Sequence, residues 1–194
     1  MSELNENEIL IEKLVLNVQK GDKDSFSKIY DLFVDPLYRY LFFRVNKEDV
    51  DDLLVQIFLK TWENIKKYKK TKGSRFSSWI FRIAHNLVVD YYRNNKIKDV
   101  SDLDINIPSF DREHNPLIKA EDKINIKILK KALKNIKEHY REFLVLKFIN
   151  ELTNKEISEM LEKTEGSVRI LQLRSLRALK TELEKLGVNS SSFK

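Results

Sequence analysis

Residues 153–179 read TNKEISEMLEKTEGSVRILQLRSLRAL, and this stretch predicts two helices joined by a tight turn. Thr153 is placed to cap the first helix, and Thr164 is placed to cap the second after a three-residue turn. The inward face of the first helix carries Ile157, Met160 and Leu161. Apolar positions then recur every three or four residues, which is the period of a helix with one buried face. The stretch therefore predicts a helix-turn-helix.

Projection at 100° per residue separates two faces of the second helix. The inward face carries Val168, Leu171, Ser175, Leu179, Leu183 and Leu186, with Gln172 near it. The outward face carries Arg169, Ile170, Leu173, Arg174 and Arg177. Guanidinium groups bind guanine edges or phosphates with two hydrogen bonds, and Ile170 and Leu173 are suited to thymine methyl groups. This face is typical of a helix that enters the DNA major groove, although a solvated basic face is the alternative.

A second basic surface is predicted on the helix at residues 76–94. Its core face carries Phe76, Ile80, Ile83, Leu87 and Tyr91. A polar stripe carries Arg75, Arg82, Asn86 and Arg93, with Ser78 and Trp79 beside it. The lysine-rich loop at 69–72 precedes this helix, and together they are typical of a surface that follows a nucleic-acid strand. Trp79 either stacks on an unpaired base or completes the core, and the sequence leaves both alternatives open.

The preceding helix, about residues 47–68, predicts a patch for a protein partner. Its inward face carries Val50, Leu54, Ile57, Phe58, Trp62 and Ile65. Its outward face carries Asp52, Val55, Leu59 and Glu63. An apolar pair edged by acids is a candidate docking surface, and scattered surface apolar residues are the alternative.

Composition limits the class of protein. The 194 residues include 36 Lys and Arg against 30 Asp and Glu, for a net charge of +6, and they contain no cysteine. Disulfides, thiolate zinc sites and thiol nucleophiles are therefore excluded. Eleven basic and two acidic residues lie within 60–98, which points to a local polyanion surface. No apolar run reaches the roughly 20 residues that span a bilayer, and the acidic N-terminus is unlike a signal peptide, so we expect a soluble cytoplasmic protein.

Helical periodicity extends along nearly the whole chain and predicts an all-α fold of two small helical domains joined by a flexible acidic linker. The domains are predicted at 1–97 and 116–188, the linker at 98–115 and a disordered tail at 189–194. The predicted helices span about 4–20, 24–45, 47–68, 76–94, 117–136, 138–149, 154–161 and 165–186. The second is expected to bend or split at Pro36, Asn46 is expected to cap the third, and Asn115-Pro116 is expected to begin the fifth.

In order along the chain, these pieces resemble the extracytoplasmic-function (ECF) sigma factors of bacterial RNA polymerase. The resemblance lies in FSKIYDLFVDPLYRYLFFRV from residue 26, DVDDLLVQIFLKTWENIKKYK from residue 49, FSSWIFRIAHNLVVDYYR from residue 76 and EFLVLKFINELTNKEISEMLEKTEGSVRILQLRSLRALK from residue 142. It implies a region 2 helical bundle and a region 4 helix-turn-helix. It also implies binding to core polymerase (the β′ clamp helices and the β flap), to promoter DNA and to an anti-sigma factor, without a cofactor or direct membrane insertion.

The resemblance also assigns residues to these contacts. Core polymerase would be bound by Asp52, Val55, Leu59 and Trp62. The −10 element would be recognised and opened by Lys69, Lys72, Arg75, Ser78, Trp79, Arg82, Asn86 and Arg93. The −35 element would be read by Lys155, Ser167, Arg169, Ile170, Leu173, Arg174 and Arg177. The family commonly has Gln-Glu where this chain has Val55-Gln56, which alters the polarity of the polymerase contact.

Two other classes of function are alternatives to a sigma factor. A stand-alone helix-turn-helix regulator that binds duplex DNA as a dimer would explain residues 153–186 but would leave the basic stripe and the docking patch without a role. An enzyme is disfavoured because His85, His114 and His139 have no metal-ligand spacing and no nucleophile–base set is apparent.

Overall fold

A computed structural model describes residues 3–70, 75–94 and 120–188, and it describes side chains from residue 6 in the first range and from residue 125 in the third. The helices of the first part are α1 (Glu3–Gln19), α2 (Lys23–Phe42), α3 (Lys47–Asn64) with a 3₁₀ turn at Ile65–Lys67, and α4 (Phe76–Asn94). Those of the second part are α5 (Ala120–Asn135), α6 (Glu138–Leu144) with a π-helical turn at Val145–Ile149, α7 (Asn154–Met160) and α8 (Glu165–Lys185). No strand occurs in these ranges, so the all-α prediction is confirmed.

The starts of α2 and α3 differ in how they are capped. Asp22 caps α2, because its Oδ1 accepts the backbone N–H groups of Asp24 at 3.0 Å and Ser25 at 3.3 Å. Asn46 occupies the capping position of α3, but its side chain makes no capping hydrogen bond, so the predicted side-chain cap is wrong. The helix α2 was expected to bend or split at Pro36, and it does not split, because it continues through Pro36 to Phe42. The expected start at Asn115-Pro116 lies outside the described residues.

Helices α1–α4 form the first bundle around an apolar core. Ile29, Leu37, Leu41, Ile57 and Ile80 are fully buried there. The predicted core face of α4 is largely confirmed, since Phe76, Ile80, Leu87 and Tyr91 are buried while Ile83 is half-buried. The prediction that Trp62 points inward is wrong. Its side chain is 42% exposed, and its ring packs edge-on against Phe26 at 4.8 Å between centroids.

Helices α5–α8 form the second bundle, which contains the predicted helix-turn-helix. Thr153 and Glu156 form a capping box at the start of α7, and Thr164 caps α8 by accepting the Ser167 N–H at 3.2 Å. Of the expected inward residues, four are buried and five are half-buried. The buried ones are Ile157, Met160, Val168 and Ser175, and the half-buried ones are Leu161, Leu171, Leu179, Leu183 and Leu186. Their burial leaves the opposite side of α8 exposed.

The two bundles pack against each other. Helix α7 lies on α4, and the π-helical turn after α6 lies on α2, where Asn150 Nδ2 donates to the Pro36 carbonyl at 2.6 Å. The buried apolar residues of both bundles form one continuous cluster. The predicted linker at 98–115 and tail at 189–194 lie outside the described residues.

Candidate nucleic-acid interface

The outward face of α8 presents the arrangement expected of a major-groove helix. The predicted residues Ser167, Arg169, Ile170, Leu173, Arg174 and Arg177 are all exposed, as is Lys155 on α7. Ile170 is 54% and Leu173 is 52% exposed, although both are apolar. Gln172 is engaged elsewhere, because its Oε1 accepts a hydrogen bond from Asn154 Nδ2 at 3.0 Å. The helix therefore offers arginines and apolar groups together on one solvent-facing surface.

The sequence reasoning missed Leu176, which is also exposed on α8. It falls between the two projected faces, so the helical period alone did not assign it. Its exposure extends the apolar part of the outward face by one position.

The basic stripe of α4 is formed, and its arginines are partly occupied by carboxylates. Arg75 Nε lies 3.1 Å from Glu8 Oε2, and Arg75 Nη1 lies 3.4 Å from Glu156 Oε1. Arg82 donates to the backbone carbonyl of Glu159, and its Nη1 lies 3.8 Å from Glu162 Oε1. The guanidinium groups of both arginines therefore already have partners within the chain.

The other predicted members of the stripe have varied surroundings. Lys69 and Asn86 are exposed, and Arg93 is exposed beside Asp90 at 2.9 Å. Ser78 is buried, but it lines a cleft of about 460 Å³ together with Arg75 and Arg82. Lys72 lies outside the described residues.

Trp79 belongs to an aromatic cluster at the start of α4. Its ring centroid lies 5.2 Å from that of Tyr68 and 5.3 Å from that of Phe76. Burial, reinforced by the nearby carboxylates of Glu12 and Glu8, raises the pKa of Tyr68 to about 12. Trp79 is half-buried and also lines the clefts beside Arg82, so it joins the core on one side and reaches the basic stripe on the other.

The outward face of α3 carries the predicted docking patch. Val55 is 58% exposed and Leu59 is 56% exposed, and Trp62 lies one turn further along. Asp52 is exposed at the start of the patch. Three large apolar side chains that follow one helix face and are edged by an acid form a surface suited to a protein partner.

A buried polar network that the sequence reasoning missed joins the two bundles. Glu142 on α6 accepts hydrogen bonds from Tyr40 Oη at 2.9 Å, lies 2.8 Å from Arg44 Nη1, and lies 2.6 Å from His85 Nδ1. Arg44 also pairs with Glu138, and Tyr92 Oη accepts from Arg141 Nη2 at 3.1 Å. The charged pair Arg141-Glu142 directly precedes the apolar run FLVL, and this position is the signal that indicates burial.

The electrostatics of the network favour the ionised carboxylate of Glu142. Burial raises the pKa of this group, but the Arg44 guanidinium and the hydrogen bond with His85 outweigh burial and lower it to about 2. Arg44 is completely buried, and its positive charge is balanced by Glu142 and Glu138. The packing of the two bundles therefore buries the charged side chains of Arg44 and Glu142 almost completely.

Metal-binding clusters and membrane-spanning helices are absent from the described part of the chain. Within it, no three His, Asp or Glu side chains are grouped so that they could hold a metal ion. No helix within residues 3–70, 75–94 or 120–188 is long and apolar enough to cross a membrane.

Comparisons with known proteins agree with the arrangement of the two bundles. Residues 29–97 match the family model of sigma-70 region 2, and residues 126–179 match that of sigma-70 region 4. The region 2 match disfavours the alternative of a stand-alone helix-turn-helix regulator.

Curated relatives cover most of the chain. RNA polymerase sigma factor SigZ of Bacillus subtilis is 31% identical, with 69% of this chain and 72% of SigZ covered. ECF RNA polymerase sigma factor SigW of the same organism is 29% identical over 92% of this chain and 100% of its own length. ECF RNA polymerase sigma factor BldN of Streptomyces coelicolor is 27% identical over 86% of this chain, which spans 63% of BldN.

Solved structures share the fold. CnrH, determined in complex with the cytosolic domain of CnrY, superposes with a TM-score of 0.69 at 19% identity and covers 91% of this chain and 98% of CnrH. The sigma factor RpoE of Bartonella quintana, determined with the anti-sigma factor NepR, gives a TM-score of 0.65 at 19% identity and covers 84% of this chain and 98% of RpoE. With both conserved regions present in order and relatives matched along the chain, the protein belongs to the ECF group of RNA polymerase sigma factors.

Proposed function

We propose that this sigma factor uses three separate surfaces during promoter-specific initiation. The patch formed by Asp52, Val55, Leu59 and Trp62 binds the clamp helices of core polymerase. The stripe of α4 recognises and opens the −10 element, and the outward face of α8 reads the −35 element. The observation that carries this proposal is the exposure of the apolar α3 patch on the bundle that also carries the basic stripe.

Polymerase docking on α3 follows from the chemistry of its surface. Val55 and Leu59 lie one turn apart, and each is more than half exposed. Association with a partner would remove that apolar area from water, and Asp52 would supply a charge for a basic partner residue. The acidic edge gives orientation, whereas the apolar residues supply most of the affinity.

The test is a double substitution in the docking patch. Val55→Asp with Leu59→Asp is expected to weaken binding to core polymerase at least about 100-fold, because two central apolar contacts are replaced by charges. Leu16→Asp is the control, since it places an acid at an exposed apolar site on α1. Normal polymerase binding by the double variant, measured by fluorescence anisotropy, would contradict the proposal.

The two DNA surfaces are suited to different forms of DNA, namely duplex DNA for α8 and an unpaired strand for the stripe of α4. The outward face of α8 has arginine guanidinium groups and apolar side chains, which are the groups that recognise base edges in the major groove. The α4 stripe combines arginines with the half-buried ring of Trp79, and such a combination suits an unpaired strand that stacks on an aromatic ring. Both roles consist of binding alone and need no bond-making step in this chain, and we propose that the chain is not an enzyme.

The location and regulation of the protein follow from its polymerase partner. A sigma factor acts together with RNA polymerase in the cytoplasm, and we propose this location for the chain. CnrH and Bartonella quintana RpoE were each determined with a bound partner, which for RpoE is an anti-sigma factor. We propose that an anti-sigma factor also binds this chain.

A further inference from the structure

The outward face of α8 carries a row of three large apolar side chains. Ile170 is 54%, Leu173 is 52% and Leu176 is 40% exposed. In the described part of the second bundle, Phe148 is the one other large apolar side chain that is exposed. An apolar side chain in water adds nothing to the stability of the fold, so a row of three on one helix indicates contact with another molecule.

The spacing of this apolar row matches the spacing of base pairs. Its members follow one another at intervals of three residues along α8. Each interval advances about 4.5 Å along the helix axis and about 60° around it, so the row covers about 9 Å of the helix and about 120° of its surface. Neighbouring base pairs lie about 3.4 Å apart along the duplex. In the major groove, the row therefore passes roughly two to three base-pair steps.

The amide side chains near this row are engaged with each other. Gln172 is the one amide side chain on α8, and its Oε1 accepts a hydrogen bond from Asn154 Nδ2 at 3.0 Å. Asparagine and glutamine commonly read adenine, because the amide oxygen accepts from N6 while the amide nitrogen donates to N7. The oxygen that this pairing needs is committed to Asn154. A T·A pair facing α8 is therefore more readily recognised from its thymine than from its adenine.

From the exposed row and the engaged amides we infer that α8 selects its −35 element mainly through the 5-methyl groups of thymines. Ile170, Leu173 and Leu176 each contact the methyl group of one thymine, and the arginines beside them bind guanine or phosphate. The inference rests on the proposed function of α8. It adds Leu176 to the reading face and states the chemistry of the preferred bases, namely thymines at neighbouring base pairs.

Apolar contacts of this kind can discriminate between bases. In the major groove, thymine alone presents a methyl group, whereas cytosine presents an amino donor. An amino group pressed against Leu173 would lose its water without gaining a hydrogen-bond partner, which disfavours cytosine at that position. Burial of a single methyl group against an apolar side chain contributes about fourfold in affinity. A row of three such contacts is therefore sufficient to rank promoters.

The experiment uses the full chain bound to core polymerase and removes single methyl groups from the DNA. A preferred −35 element is first selected from a promoter library in which these positions are randomised, and a selected element without thymine would overturn the inference. Each thymine of the element is then replaced by deoxyuridine, which lacks the 5-methyl group and pairs with adenine in the same way. Promoter binding is measured by fluorescence anisotropy, and replacement of thymines outside both promoter elements is the DNA control.

Each deoxyuridine facing the row is expected to weaken promoter binding about fourfold. Leu176→Ala should abolish the response to one of these replacements, and the triple variant with Ile170→Ala and Leu173→Ala should bind the thymine and deoxyuridine promoters equally. Leu16→Ala is the protein control, because it shortens a similarly exposed side chain on α1 and should retain the full response. An undiminished response in the triple variant would assign the methyl effect to the deformability of the DNA and would overturn the inference.

A second set of promoters tests the adenine side of the same base pairs. Replacement of adenine by 7-deazaadenine removes the N7 acceptor, keeps the methyl group of the paired thymine, and is expected to change binding by less than about twofold. A larger loss with 7-deazaadenine than with deoxyuridine would overturn the inference. Failure of the proposed function gives a different result, because the library would then yield no preferred −35 element. A preferred element that is insensitive to deoxyuridine would contradict the methyl readout while leaving the proposed function intact.

Discussion

Glu142 is a buried carboxylate that joins the second bundle to the first. It is buried, accepts a hydrogen bond from Tyr40 and forms an ion pair with Arg44, and both of these residues belong to the other bundle. Glu142→Gln removes the charge opposite Arg44 without changing the shape of the side chain. We expect a loss of about 2–4 kcal/mol in the free energy of unfolding, measured by urea denaturation. Glu151→Gln at an exposed site should change it by less than about 0.5 kcal/mol, and equal losses would contradict this role.

The lowered pKa of Glu142 predicts how acid acts on the fold. Its folded pKa of about 2 lies below its ordinary value of 4.5, so the unfolded chain binds more protons between these values. The stabilisation is therefore complete above pH 4.5 and is lost as the pH falls toward 2. Between pH 5 and 2 the wild type should lose more stability than Glu142→Gln, by an amount on the order of 3 kcal/mol. Parallel losses in thermal denaturation of the two proteins would exclude Glu142 as the cause.

At the scale of single helices, α8 should set promoter choice without supporting the fold. Leu173 is more than half exposed, so Leu173→Ala should leave the melting temperature nearly unchanged. Loss of a contact with a thymine methyl group should lower transcription from a preferred promoter about tenfold. The measurement compares initiation sites mapped with the two proteins and core polymerase. An unchanged order of promoter preference would remove the proposed methyl contact.

The stripe of α4 should act in strand opening and not in polymerase binding. Joint substitution of Arg75, Arg82 and Arg93 by Gln removes three cations from one helix face. We expect polymerase affinity within about twofold of the wild type but at least a tenfold loss of open promoter, because the unpaired strand loses its partners. Permanganate reactivity of unpaired thymines measures the opening. Normal opening by this variant would refute the assignment of the stripe.

At the scale of the whole molecule, the length of chain between the bundles limits promoter spacing. The linker predicted at residues 98–115 would span at most about 60 Å when fully extended, which corresponds to roughly 18 base pairs. Insertion of about ten base pairs between the −10 and −35 elements keeps them on the same side of the duplex but exceeds the comfortable reach. We expect transcription to fall sharply, and a matched insertion upstream of both elements should have no effect.

Local pattern predicted the helices well because each amphipathic face is encoded within a few turns. The buried faces of α4 and of the helix-turn-helix follow directly from the 3.6-residue period. The contacts between bundles could not be predicted in this way, since Tyr40 and Glu142 are 102 residues apart. Trp62 was misplaced because a helical projection gives a direction but not the extent of the neighbouring helix.

The two carboxylate oxygens of Glu156 make different contacts. Oε1 accepts from Ser77 Oγ on α4, and Oε2 accepts from the backbone N–H of Thr153 at the start of α7, which limits the residues that can replace Glu156. Aspartate is one methylene shorter and would have difficulty reaching both Thr153 and Ser77. Alanine would weaken the start of α7 as well as the crossing to α4. Substitution should be tolerated better at Glu159, because its contact with Arg82 is made by the backbone carbonyl and is independent of the side chain.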